Sequence, residues 1–280
     1  MSRILACIDP SAYSVSVCNL TAWAANRLSA SVELLHVIQR KDAVAARHDL
    51  SGAIGLGVKS GLLEELTRID QSAGRLAIEQ GRSILADAEA RLCAAGVGKV
   101  TALLRHGSVV ETVIEREAHA ALVIIGKHGA EHQLAQDHIG SNIERVVRAS
   151  TRPVLIAARW GKPPTSVTIA FDGSSSAQKA VGRVAESPLF AGLPVHLVMA
   201  GPDNAGHRAQ LSSATSQLPD AIVHIVDGEP EKVIGNLVAE LDDTMLVMGA
   251  YGHSPLRALI VGSTTTAMVR TLHVPVLLVS

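Results

Sequence analysis

Residues Thr244 to Ser280 read TMLVMGAYGHSPLRALIVGSTTTAMVRTLHVPVLLVS, and this stretch decides the fold. Met245 to Met248 is an apolar run of buried-strand length. Gly249 and Gly252 follow it. Gly262-Ser263-Thr264 then opens a helical pattern carried by Ala267, Met268 and Leu272, and Val274 to Val279 is a second apolar run. Strand, glycine loop, helix, strand is the layout of a phosphate cradle. Glycines let the backbone approach a ligand, and a helix start offers unpaired N–H groups and the positive end of the dipole.

The rest of the chain repeats this unit. Ile4 to Ile8 ends in Asp9, and Val167 to Phe171 ends in Asp172. In the first half, strands are expected at Ile4 to Ile8, Val32 to Ile38, Val100 to Leu104, Ala121 to Ile125 and Pro153 to Ala157. Helices are expected after Asp9, over Leu62 to Ala95, over Val109 to Ala118 and from Gly140-Ser141-Asn142 onward. Gln39 to Gly61 reads as a loop. In the second half the strands are Val167 to Phe171, Val195 to Ala200, Ile222 to Val226, Met245 to Met248 and Val274 to Val279, with a helix over Ser176 to Glu186. The offset between the halves falls from roughly 160 residues at the aspartates to roughly 120 at the glycines, too long a period for a solenoid. The first half therefore carries extra chain in its loop and second helix. Gly161-Lys162-Pro163-Pro164 is a linker by composition, giving domains over residues 1–160 and 161–280.

Strands alternating with helices imply a Rossmann-like α/β fold: two tandem, doubly wound, five-stranded parallel sheets with helices on both faces. Asp9 and Asp172 follow strand one and the glycine loops follow strand four. They share a site only where those strands are neighbours, which selects the order 3-2-1-4-5. The fifth strands are then apolar edges, and the halves are expected to pack on each other through them.

Composition narrows the function. Formal net charge is −1 and aromatics are 2%, which argue against nucleic acid and anionic membranes as partners. No apolar run approaches the ~20 residues of a bilayer span. Cys7, Cys18 and Cys93 form no CxxC pair and read as small buried residues of a reducing cytoplasm. No metal-ligand spacing appears among the 12 histidines. No GxxxxGK[ST] is present either, so no P-loop lysine serves phosphoryl transfer.

Gly249, Gly252, Gly262 and Ser263 fit G-x2-G-x9-G-[ST] without a gap, and with Asp172 the second half resembles the universal stress protein family. The resemblance covers both halves. It implies an ATP-binding regulatory or sensing protein of stress response, usually a dimer, with magnesium carried on the phosphates and an unidentified protein partner possible. By position, Asp172 would contact adenine and ribose, backbone near Ala200 would read the adenine edge, and Met248 would cover the base. Gly249 would approach the ribose, and Gly252, Gly262, Ser263 and Thr264 would hold the phosphates. The matching first-half positions are Asp9, Val37, Ile125, Gly126, Gly129, Gly140, Ser141 and Asn142. There the second spacing is ten residues, and the loop carries Glu131 and Asp137 where the second half carries Arg257. Tighter binding is therefore expected in the second half. A slow ATP hydrolase and a scaffold for another small molecule are the competing readings. No residue is clearly poised to activate water.

Overall fold

A computed structural model describes residues 2–39, 56–129, 141–250 and 263–279. The first half runs β1 (Arg3–Cys7), α1 (Ser14–Leu28), β2 (Ser31–Ile38), α2 (Leu56–Ala94), β3 (Val100–His106), α3 (Val109–Glu117), β4 (Leu122–Gly126), α4 (Ser141–Ala149) and β5 (Val154–Ala157). The second half runs β6 (Ser166–Ala170), α5 (Ser175–Glu186), a 3-10 turn (Pro188–Phe190), β7 (Val195–Ala200), α6 (Ala205–Thr215), β8 (Ile222–Val226), α7 (Pro230–Glu240), β9 (Thr244–Gly249), α8 (Ser263–Thr271) and β10 (Val276–Val279).

Each half has the expected order 3-2-1-4-5, with all strands parallel. The two sheets merge into one ten-stranded sheet, β3-β2-β1-β4-β5-β10-β9-β6-β7-β8. The join is antiparallel, β5 against β10, with Leu155 opposite Leu277. The fifth strands are thus central strands of a continuous sheet. Burial on both faces explains why their sequences, VLIA and VLLV, are unbroken apolar runs.

Two core layers sandwich this sheet. One packs α1, α2, α5 and α6 on one face through residues such as Leu20, Leu92, Val181 and Leu211, and it runs unbroken across the join through Leu155 and Leu277. The other packs α3, α4, α7 and α8 through Val113, Val146, Ile234 and Met268. Arg27 of α1 also crosses between halves, donating from Nε to Leu189 O at 2.6 Å and from a second nitrogen to Ala191 O.

The structure corrects the sequence reading at several points. The helix expected from Leu62 begins at Leu56, inside the expected loop, and is 39 residues long. Its last turns pack on β2 and β3 through Leu85, Ala88 and Leu92, whereas Ile69 and Leu76 are exposed. Gly81 marks where it meets the sheet, since a Cβ there would stand 2.8 Å from His36 and Leu104 side-chain carbons. Helices α6 and α7 are additions to the elements read from the sequence. Cys18 is buried, but Cys93 is exposed.

The outer strands differ in one respect. Hydrogen bonds from Ile8 N to Leu35 O and from Phe171 N to Val198 O set β2 and β7 in equivalent register. Thr101 and Arg105 of β3 then match Ile222 and Val226 of β8. The second-half residues are exposed apolar groups on an edge strand, which invites unintended pairing. Replacing Ile222 by Thr and Val226 by Arg is expected to leave the melting temperature within about 2 °C, because exposed positions contribute little. The same change should raise the concentration at which light scattering first detects association.

Candidate functional site

The register brings the sequence motifs together at the carboxyl ends of the strands. Cys7 pairs with Leu35 and Ala6 with Ile124, so Asp9 continues to the level of Val37 and Lys127. Ala170 pairs with Val198 and Ile169 with Val247, so Asp172 continues to the level of Ala200 and Ala250. Each aspartate thus stands between the end of strand two and the start of the glycine loop. This is the switch point where connections leave in opposite directions and open a crevice.

Both aspartates turn the backbone towards the first helix. Asp172 Oδ1 accepts from Ser174 N at 2.9 Å, and Asp9 Oδ1 accepts from Ser11 N at 3.2 Å and from Ser11 Oγ. These are Asx turns. Neither aspartate caps a helix: α5 is capped by Ser174, whose Oγ accepts from Ala177 N, and α1 begins after Tyr13 with no side-chain cap. Asp172 is exposed and Asp9 half-buried, so the second-half carboxylate has the more open acceptors.

The first glycine of each motif has a packing role. A Cβ at Gly249 would lie 2.5 Å from Ser176 Oγ and 2.8 Å from the Ser176 carbonyl carbon, and one at Gly126 would lie 2.7 Å from Tyr13 Cβ. Tyr13 and Ser176 sit four residues after their aspartates. The glycine is therefore demanded by the close approach of the first helix. Gly129 faces the acid, since a Cβ there would be 3.3 Å from Asp9 Oδ2. Loop and strand-one aspartate meet in the first half as the topology requires.

The remaining candidates divide into two groups. Ile125 and Met248 are 7% and 6% exposed, their side chains in the core layer beneath the crevice. Val37 and Ala200 are half-buried at the ends of β2 and β7, and Asn142 and Thr264 are half-buried in the first turns of α4 and α8. Gly140, Gly252 and Gly262 lie outside the described residues, as do Glu131, Asp137 and Arg257. Ser141 and Ser263 are placed only as the first residues of α4 and α8.

Around the first-half crevice the structure adds groups that the sequence reading did not assign. The Tyr13 ring packs on His128, centroids 5.6 Å apart and tilted by 50°. His128 is buried. Burial holds the Tyr13 phenol above its usual range, partly opposed by the Arg159 charge. Burial, with Asp9 nearby, pushes the Cys7 thiol up to about 12, so it is neutral and unreactive at pH 7. Among the described residues no group of three or more His, Cys, Asp or Glu is placed to hold a metal, and no helix is long and apolar enough to cross a membrane. The matching offsets of Tyr13 and Ser176 from their aspartates were the available sequence signal.

Comparison with known proteins agrees with this architecture. The profile described as the universal stress protein family matches residues 1–158 and 200–280, leaving out the segment that carries Asp172. A universal stress protein of Synechocystis sp. is 32% identical over 284 residues, covering 99% of both chains. The crystal structure of a universal stress protein from Archaeoglobus fulgidus superposes with a TM-score of 0.73 at 21% identity, covering 99% of this chain and 98% of that one. A putative universal stress protein from Pseudomonas aeruginosa gives 0.66 at 19% identity, covering 100% and 93%. The match in sequence over both halves and the match in fold over the whole chain together establish that this protein belongs to the universal stress protein family.

Proposed function

We propose that the protein is an ATP-binding regulator of stress response, with its principal site in the second half. The observation that carries this reading is the exposed Asp172 carboxylate. It stands level with the ends of β7 and β9, between the backbone at Ala200 and the loop that starts at Gly249. Such a carboxylate accepts from ribose hydroxyls or the adenine amino group. The amide groups of Gly252 and Gly262 and the N-terminus of α8, with Ser263 and Thr264, supply donors to phosphates, as at other helix starts. Magnesium rides on the phosphates. Whole chains pair as homodimers in the cytoplasm. The site holds nucleotide as a signal.

The first half is the weaker site. Asp9 Oδ1 already accepts twice from Ser11, and Tyr13 with His128 fills part of its crevice, where α5 presents the smaller Ser176. The test is to denature purified protein, identify any released nucleotide by chromatography, and titrate the full chain with ATP by calorimetry. Asp172→Ala is expected to weaken the tighter site about 10-fold, the loss of one or two hydrogen bonds to a charged acceptor. Asp9→Ala should leave that site within about 2-fold. Equal effects of the two variants, or no effect of either, would refute this assignment.

A further inference from the structure

We infer that Lys127, in the first half's glycine loop, positions the phosphate-binding helix of the second half and thereby links the two sites. Lys127 follows β4 directly, between Gly126 and His128, level with Asp9. Its backbone N–H donates to Ala157 O at the end of β5. Its side chain leaves the first half. Nζ donates to Arg270 O, and to Leu272 O at 3.1 Å, carbonyls at the C-terminal end of α8. The residue is 6% exposed.

The antiparallel join makes this reach possible. Because β5 and β10 run in opposite directions, the carboxyl ends of β4 and β5 lie beside the start of β10, where α8 has just ended. A cation suits that place twice over. It satisfies carbonyls that have no partner within the helix, and it complements the negative end of the dipole. With 9 residues, α8 is a short rod. Fixing its C-terminal end fixes its N-terminal end, where Ser263 and Thr264 stand. At the equivalent point of the second half stands Ala250, whose side chain has no donor to send across. A ligand that shifts the first-half loop therefore shifts the anchor of the second-half helix. By linkage, nucleotide in the second half must feed back on the first loop with equal free energy.

This role rests on the proposed phosphate contact of α8, so the test separates the two. Lys127→Met keeps the aliphatic stem and removes the charge and the donors. Hydrogen–deuterium exchange of the full chain without nucleotide should show amides of residues 266–272 exchanging at least 10-fold faster, with β1 and β6 unchanged. Calorimetry should show ATP binding to the second half weakened about 5-fold or more, and Lys127→Arg should recover part of both effects. Asp172→Ala serves as the contrast, weakening ATP without changing exchange in α8. Unchanged exchange in Lys127→Met would overturn the anchor, whatever the nucleotide does. Faster exchange with unchanged ATP affinity would overturn the link to the site but leave the proposed function standing. Absence of ATP binding in the unaltered protein would overturn the proposed function and the link together, while the exchange data still judge the anchor.

Discussion

Replacement of Glu33 by alanine is expected to cost the protein about 3–5 kcal/mol of stability, the range for removing one member of a buried ion pair. Glu33 lies on β2 and is 4% exposed. Its Oε2 accepts from Arg3 Nη1 at 2.7 Å and from Arg116 Nη2 at 2.6 Å, while Oε1 accepts from Arg116 Nε at 2.7 Å. Arg3 also donates to Arg116 O at 3.0 Å. One carboxylate thus ties β1, β2 and the end of α3 into a single unit. Its loss would leave two guanidinium groups facing each other with no anion between them. Both arginines are partly exposed, so water recovers some of the cost, and the lower part of the range is expected.

The same triad sets a pH dependence. The Arg116 hydrogen bond, and then the charges of Arg3, Arg116 and Arg105, hold the Glu33 carboxyl below its ordinary range against the opposing effect of burial. A depressed folded-state value stabilises the fold fully above the unfolded value, near 4.3, and that contribution disappears as pH falls through the lower folded value. Guanidinium unfolding at pH 7 should therefore separate the unaltered protein from Glu33→Ala widely. The gap should narrow as pH falls from 4 towards 2. A gap that stays constant across that window would show that the carboxylate's charge is not what stabilises the triad.

Much of this architecture is legible in the sequence, for definable reasons. Parallel strands covered on both faces must be apolar throughout, so Ile4 to Ile8 and Met245 to Met248 stand out from their surroundings. The glycine spacing after strand four can be read because a helix start and a close backbone approach each restrict residue choice. Helix α6 is not legible because Leu211 and Ala214 are its only buried residues and the remainder is rich in serine and alanine. Helix α7 did carry a signal: Pro230 at its start, then Val233, Ile234 and Val238 at helical spacing. The early start of α2 was masked by Gly57 and Gly61, which are poor helix formers. Long-range pairings carry no local pattern. Glu33 with Arg3 and Arg116 becomes visible only once the topology is known. Lys127 with α8 further requires the antiparallel join, since the lysine and its acceptors lie in different halves.

That join leads to the other large effect expected. Leu277→Ala should destabilise the whole chain by about 2–5 kcal/mol, the usual cost of a cavity where a buried leucine stood. Leu277 is 1% exposed and lies opposite Leu155, which is 0% exposed, and both belong to the core layer that continues from one half into the other. With neighbouring strands holding the backbone on both sides, β5 and β9, the cavity has little room to collapse. The useful readout comes from the tryptophans. Both, Trp23 and Trp160, precede the second half, whereas the substitution lies in its last strand. If the halves were independent domains, tryptophan fluorescence would report an unchanged unfolding midpoint. A shared sheet and a shared core make them one cooperative unit, so fluorescence and far-ultraviolet circular dichroism should show the same lowered midpoint. Leu34→Ala, at a fully buried position in the first half, should lower both probes together in the same way. Separation of the two probes in either variant would show that the β5–β10 join does not couple the halves. The anchor from Lys127 to α8 would then have to transmit its effect without a rigid frame behind it.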